Sequence, residues 1–242
     1  MKKNRLVVKH LAKRFGRKWG VRDVSFQAKE GEVAGLLGPN GAGKTTSFYM
    51  IAGIINAEKG KVMLNDQDIS LFSMPERARL GIGYLPQEAS IFRGMTVEQN
   101  IRSIAQFLYN DKRRQWQITE ELLERFDLKP IRKSKGYSLS GGERRRTEIA
   151  RALVAKPKFL LLDEPFAGID PIVVGQIKKI IRELAREGIG IVITDHNVRD
   201  AFDVTDTVCI INEGRVIACS KPQEIAKNRT VQSIYLGKDF KL

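Results

Sequence analysis

Gly38-Pro39-Asn40-Gly41-Ala42-Gly43-Lys44-Thr45 constrains this 242-residue chain more than any other stretch. It satisfies G-x-x-x-x-G-K-[ST] at every specified position, and its flanks have the required character. The apolar run 33–37 before it reads as a buried strand, and residues 44 to about 51, including Thr46, read as a helix. Glycines let successive backbone N–H groups turn inward around an anion, and a helix N-terminus adds its positive end. Lys44 is then placed for the outer phosphates of a nucleotide and Thr45 for a magnesium ion. The competing reading is an ordinary glycine-rich turn.

A second element supports the first. Phe159-Leu160-Leu161-Leu162 reads as a strand buried on both faces, and Asp163-Glu164-Pro165 follows at its carboxyl end, where open α/β sheets place ligands. Asp163 is positioned to hold the metal and Glu164 to orient and deprotonate an attacking water. Alone, an Asp-Glu pair after a strand is more often a solvated loop start. A third element, Leu139-Ser140-Gly141-Gly142-Glu143, begins a helix predicted to run to about residue 155, with Ser140 as N-cap and Glu143 completing a capping box. Local helix chemistry leaves the two adjacent glycines unexplained, since each costs stability in a first turn.

Elsewhere, residues 6–8, 24–26, 61–64 and 82–85 read as short strands, and Pro75 as the first helical position ahead of 76–80. From 88 to 157 the pattern is helical with charged faces, then a strand, helix, strand unit spans 159–194 with its helix over 172–186. Residues 208–218 read as a hairpin turning at Gly214. The chain therefore reads as an α/β core, 1–87 and 158–242, interrupted by a helical insert at about 88–157.

Other readings are bounded by composition. Cys209 and Cys219 are too few for a disulfide framework or a four-ligand zinc site, and their apolar surroundings predict reduced, buried thiols. No apolar run reaches the 18 residues of a membrane span, and the apolar stretch before Lys9 is too short for a signal peptide. The net charge of +14 divides into +8 over 1–87, +6 over 88–157 and zero over 158–242. Such asymmetry is compatible with nucleic acid, an anionic membrane surface or a nucleotide. His10 has no chemical context and reads as a surface residue.

Taken in order and spacing, Phe15, GPNGAGKT at 38–45, Gln87, LSGGE at 139–143, FLLLDEP at 159–165, Gly168-Ile169-Asp170 and His196 resemble the ABC-type ATP-binding cassettes over essentially the whole chain. The resemblance implies a P-loop ATPase core with an antiparallel β subdomain and an inserted helical subdomain. It also implies a homodimer that sandwiches two ATP molecules head to tail, each with Mg2+. In that scheme Phe15 stacks on adenine, and Gly38, Pro39, Asn40, Gly41, Ala42, Gly43, Lys44, Thr45 and Thr46 bind the nucleotide. Thr45, Gln87 and Asp163 attend the metal, while Glu164, His196 and Gln87 carry the hydrolysis. Ser140, Gly141, Gly142, Glu143 and Asp170 act across the dimer, although Ala167-Gly168-Ile169-Asp170 departs from the frequent Ser-Ala-Leu-Asp form.

The segments 85–92, 138–146, 163–171 and 194–199 and the terminal 235–242 resemble most closely the lipopolysaccharide-export branch of that family. This implies two inner-membrane partner subunits, a peripheral position on the cytoplasmic face, and coupling through Phe92 and Arg93 just after Gln87. Phe92 buried in the insert is the competing reading. An amino-acid importer ATPase would share the chemistry with other partners, and a nucleic-acid-associated cassette would suit the charge. Nucleic-acid relatives usually carry tandem cassettes, zinc-binding cysteines or coiled-coil insertions, so no nucleic-acid partner is expected. On this reading the basic groups Lys13, Arg14, Arg17 and Lys18 attract ATP, and those of the insert attract anionic headgroups.

Overall fold

In the computed structural model, which describes residues 3–237 and 240, three short apolar strands set the centre of the molecule. These are β3 (Val33–Leu37), β7 (Phe159–Asp163) and β8 (Gly190–Thr194), and every residue in them is buried. Side chains alternate between faces along a strand, so each of these strands feeds two cores. Leu160, Leu162, Ile191 and Ile193 join one apolar cluster, whereas Phe159, Leu161 and Val192 join the other. Runs of this kind belong to parallel sheets covered on both sides, and the three strands pair in parallel in the order β3-β8-β7.

The sheet extends outward from that centre. Beyond β7 lies β6 (Ile82–Leu85), parallel to it, and beyond β3 lies β9 (Thr207–Asn212), also parallel. β10 (Arg215–Ser220) folds back antiparallel on β9 and touches β2 (Lys18–Lys29) at the single pairing Arg215 to Asp23. The remaining part is antiparallel: β1 (Arg5–Phe15) pairs with β2 and with β4 (Lys59–Leu64), whose outer neighbour is β5 (Gln67–Asp68). Both β1 and β2 are far longer than the three-residue apolar signals at 6–8 and 24–26. The register shifts along β1, with His10 at φ 51°, break the simple alternation that a sequence reading follows.

Helices cover the parallel half. α1 (Lys44–Ala52) leaves the glycine loop, and α2 (Met74–Arg79) starts at Ser73 with a capping box to Glu76. Three helices lie between residues 88 and 157: α3 (Val97–Leu108), α4 (Lys112–Arg125) and α5 (Gly141–Leu153). α6 (Pro171–Arg186) joins β7 to β8, and α7 (Val198–Val204) follows β8. None of these helices is long and apolar enough to cross a membrane, among the described residues.

The reading of the cysteines requires correction. The β9 to β10 register sets Cys209 directly opposite Cys219, with their Cα atoms 4.0 Å apart, and the structure joins them in a disulfide. Cys209 is buried, as expected, but Cys219 lies on the exposed side of β10. The sequence carries both residues on the arms of the hairpin, but only the pairing register brings one sulfur to the other.

Arg77 holds the parts around α1 together. It is fully buried with no carboxylate partner among the described residues, and its guanidinium donates to the carbonyls of Phe72 (2.9 Å), Met50 (2.6 Å), Ile51 (2.7 Å) and Ser70 (2.8 Å). Met50 and Ile51 lie in the last turn of α1, where a cation is favoured by the helix dipole. Burial nevertheless lowers its pKa to about 10. Arg77→Leu leaves several enclosed carbonyls unpaired and is expected to cost roughly 2–4 kcal/mol. A fall in the urea midpoint at constant slope would register it, and an unchanged midpoint would contradict this account of Arg77.

Candidate nucleotide and hydrolysis site

The glycine loop lies at the carboxyl end of β3 and opens onto a cavity of about 400 Å3. Phe15, Lys18, Trp19, Asn40, Gly41, Lys44, Thr45, Thr46 and Glu164 are among its lining residues. Phe15 is 53% exposed, and its ring lies so close to Gly20 that a Cβ there would sit 2.8 Å from it. Gly43 has φ 108°, and a side chain on it would approach the Gly20 carbonyl to 2.6 Å, so glycine is required where the loop enters α1. The Lys44 ammonium is buried and donates to the carbonyls of Gly38 (2.7 Å) and Pro39 (3.0 Å). Burial lowers its pKa, against the opposing pull of Glu164, Asp163 and Asp195. The Ala42 amide bonds the Pro39 carbonyl, and the Gly214 amide at the tip of the β9–β10 hairpin bonds the Ala42 carbonyl at 2.9 Å. The hairpin thus supports the loop from below.

Two strands away, β7 delivers its acids to the same edge. Asp163 is buried and accepts from the Thr194 hydroxyl at 2.7 Å and the Tyr84 hydroxyl at 3.3 Å. Burial raises its pKa from the ordinary aspartate value. Glu164 is turned into the left-handed region at φ 45°, where a side chain other than glycine is strained, and its amide bonds the Thr194 carbonyl at 3.0 Å. One oxygen, Glu164 Oε2, accepts from Gln87 Nε2 at 2.8 Å and faces His196 Nδ1 at 3.2 Å. Gln87, Glu164 and His196, read from distant parts of the sequence, therefore meet at a single carboxylate oxygen.

The donor set suits a hard divalent cation only in combination with phosphate. No group of three or more His, Cys, Asp or Glu side chains is placed to hold a metal among the described residues. Asp163, the Thr45 hydroxyl and the Gln87 amide supply one buried carboxylate and two neutral oxygens. Magnesium sites of this type take one or two carboxylates and complete their shell with water and nucleotide phosphates, so the residues fit a cation that arrives with its nucleotide.

The remaining sequence-read residues lie elsewhere on the molecule. Ser140 caps α5 through a reciprocal box with Glu143, its amide donating to Glu143 Oε2 at 2.8 Å. Gly142 lies against α6, where a Cβ would meet Val173 at 2.3 Å, and one on Gly141 would approach the Gly168 carbonyl to 3.2 Å. Close packing thus accounts for the glycines that helix chemistry left unexplained. Asp170 caps α6, accepting from the Ile172 amide at 2.9 Å. Ser140, Gly141, Gly142, Glu143 and Asp170 do not line the cavity of Phe15 and Lys44. Phe92 is 45% exposed in the turn before α3, with the Arg151 guanidinium 4.8 Å from its ring, and Arg93 is exposed beside it. Its exposure disfavours the reading of Phe92 as core.

Three groups that the sequence reading passed over hold the site together. Arg145 and Glu148 are buried on α5, where the apolar stripe through Gly142, Ile149 and Leu153 predicts no charge. Arg145 donates to the Pro86 carbonyl at 3.0 Å and the Asp163 carbonyl at 3.3 Å, tying the segment before Gln87 to the end of β7. Glu148 accepts from the amides of Ser90 (2.7 Å) and Ile91 (3.1 Å). Charges on a buried helical stripe were the available signal. Asp195, fully buried beside His196, accepts from the amides of Phe166 (3.2 Å) and Asn197 (2.8 Å), and burial raises its pKa. Arg14, expected to attract ATP, is instead paired with Glu58 at 3.2 Å and stacked 5.0 Å from Trp19.

A family model described as ABC transporter matches residues 21–167. The lipopolysaccharide export system ATP-binding protein LptB of Haemophilus influenzae is 50% identical over 240 residues, covering 98% of this chain and 99% of its own. The protein of the same name from Escherichia coli K12 is 51% identical over 238 residues, again 98% and 99% of the two chains. Among solved structures, the ADP conformation of an ATP-binding cassette of an ABC transporter superposes with a TM-score of 0.86 at 26% identity, over 98% of this chain and 100% of that one.

Burial of Asp163 makes the stability of the native state depend on pH. A raised folded pKa means that the native state loses stability as pH rises from the unfolded carboxyl value of about 3.9 through the folded value. Asp163→Asn removes that penalty, so the nucleotide-free variant is expected to unfold about 2–4 °C higher at neutral pH and to lose this advantage in acid. Calorimetry at two pH values checks it, and a lower midpoint at neutral pH would contradict it.

Proposed function

The chain belongs to the ABC transporter family of ATP-binding cassettes, and from that premise we propose that it is the ATP-hydrolysing subunit of a lipopolysaccharide exporter of the LptB type. The observation that carries the reading is the near-full-length identity of about half to two proteins of that name, together with the convergence of Gln87 and His196 on Glu164.

Adenine lies on the exposed face of Phe15, the inward amides of the loop from Gly38 to Thr46 hold the phosphates, and Lys44 exchanges the carbonyls of Gly38 and Pro39 for the outer phosphate oxygens. Thr45, Asp163 and Gln87 would hold Mg2+, which would supply positive charge to offset that of the phosphates. Glu164, held in its strained conformation by Thr194, accepts the proton of the attacking water. His196 steadies the γ-phosphate, and Gln87 keeps the Glu164 carboxylate oriented. Ser140, Gly141, Gly142, Glu143 and Asp170 of a second copy close the site from the other side, which their absence from the lining of this chain's own cavity supports. The functional unit is then a head-to-tail homodimer.

The membrane partners, two inner-membrane subunits resembling LptF and LptG, dock on the face beside Gln87. A mostly apolar groove of about 390 Å3 runs there between Ile54, Met74, Pro86, Ile104 and Ala152, next to the exposed Phe92 and Arg93. Motion of a partner in this groove reaches the hydrolysis site through Glu148 and Arg145. The protein sits accordingly on the cytoplasmic face of the inner membrane.

Glu164→Gln is expected to retain ATP binding while hydrolysis falls at least ~100-fold, with closed dimer accumulating in size-exclusion chromatography with ATP. Near-normal turnover would remove Glu164 from its role. Phe92→Ala is expected to bind ATP normally and to lose co-purification with the membrane subunits in detergent. Normal assembly and transport by that variant would overturn the docking face.

A further inference from the structure

The helical hairpin of the insert turns large apolar side chains outward at its tip. On α3, Ile101 and Ala105 enter the core, while Ile104, Phe107 and Leu108 share the neighbouring stripe, three and four residues apart. Ile104 lines the groove beside Pro86. Phe107 and Leu108 continue that stripe one turn past it and are 83% and 44% exposed. After the turn, α4 buries Gln115, Ile118 and Thr119, which leaves Trp116 outside the core and 38% exposed.

Hydrogen bonds fix the turn between the two helices. The Tyr109 hydroxyl donates to the Val154 carbonyl at 3.4 Å, and the Tyr109 carbonyl accepts from Gln115 Nε2 at 2.7 Å. Asp111 caps α4, accepting from the Arg113 amide at 2.9 Å. The Arg102 guanidinium lies 3.8 Å from the centre of the Trp116 ring and holds that ring against α3.

The same tip is strongly basic. Residues 102–117 carry Arg102, Lys112, Arg113 and Arg114 against the single carboxylate of Asp111. Lys112 and Arg113 are exposed, and Arg114 bonds the neutral Gln117 side chain at 2.9 Å. The nearby acids Glu120 and Glu124 are paired with Arg132 and Lys129 instead. A single exposed leucine needs no explanation, but apolar side chains grouped with cations mark a contact surface. Aromatic rings suit the headgroup level of a bilayer, and Lys and Arg can lay their stems on apolar surface while their charges meet lipid phosphates.

We propose that the tip of the α3–α4 hairpin rests on an anionic bilayer surface. Phe107 and Leu108 enter the headgroup boundary, Trp116 lies at its edge, and Lys112, Arg113 and Arg114 face lipid phosphates. The inference rests on the reading of the groove as the docking face for membrane subunits, because that reading brings the continuing stripe of α3 beside the bilayer.

Flotation of the full-length protein with vesicles, in the absence of membrane subunits, tests the tip directly. Phosphatidylglycerol vesicles are expected to bind the protein at least about tenfold more tightly than phosphatidylcholine vesicles. Phe107→Ser, and Lys112→Glu combined with Arg113→Glu, should each weaken that binding at least about fivefold while ATP hydrolysis stays within about twofold. An equal charge reversal at the exposed Lys227 and Arg229, outside the insert, should leave binding within about twofold. Tryptophan emission should shift to the blue when vesicles are added, and Trp116→Phe should abolish the shift, since the other tryptophan, Trp19, lines the nucleotide cavity. Absence of vesicle binding overturns the proposal. So does equal loss from the two charge-reversed pairs, which would mark a general attraction of a basic protein. Loss of co-purification with membrane subunits in Phe107→Ser, with vesicle binding unchanged, would assign the tip to a protein partner and overturn the proposal as well. Failure of the unaltered protein to co-purify with membrane subunits, with vesicle binding at the tip intact, supports the tip and strikes the reading of the groove instead.

Discussion

The buried hydrogen bond from the Thr194 hydroxyl to Asp163 is the contact on which the geometry of the site depends. Both residues end parallel neighbouring strands and stand directly opposite in register, so the bond aligns two chain segments far apart in sequence. Thr194 then holds the Glu164 amide through its carbonyl and keeps Glu164 in a left-handed turn. From that turn the carboxylate meets Gln87 and His196. A one-residue slip between β7 and β8 would turn the slipped strand's side chains to the opposite face and part Asp163 from Thr194.

Around this contact the chain segments are tied together through buried charges. α5 begins with the Ser140 to Glu143 box, in which the Ser140 amide donates to Glu143 and the Glu143 amide to the Ser140 hydroxyl. One turn further along, the same helix turns Arg145 and Glu148 inward, toward Asp163 and the backbone after Gln87. Unpairing such charges is costly once water is excluded. The segment before Phe92 is therefore tied to α5 through Glu148, and α5 to the end of β7 through Arg145.

The legible parts of the sequence were those whose conformation is set by near neighbours. The glycine loop, the Ser140 cap, the turn at Gly214 and the all-apolar strands are local consequences of backbone freedom, short side-chain hydrogen bonds and continuous hydrophobicity. Phe15, Gln87, Asp170 and His196 became legible only through family resemblance, because a single aromatic, glutamine or histidine has no local signature. The full lengths of β1 and β2 were missed because bulges interrupt their alternation. The sequence puts Cys209 and Cys219 on opposite arms of the hairpin but, taken with a reducing compartment, predicts free thiols; their joining follows from the pairing register, which no local pattern records.

The sequence by itself determined that a strand, a phosphate-binding loop and a helix follow one another, and that two acids end a second buried strand, since these depend on residues within one or two turns. Tertiary structure alone decided that Gln87 and His196 share one oxygen of Glu164, and that Arg145 joins the segment before Gln87 to β7. It also decided that Thr194 meets Asp163 across the neighbouring strand. The physical reason is that hydrogen bonds between buried groups are set by sheet order and helix packing over separations of tens of residues, where no local pattern records which partner a side chain will meet.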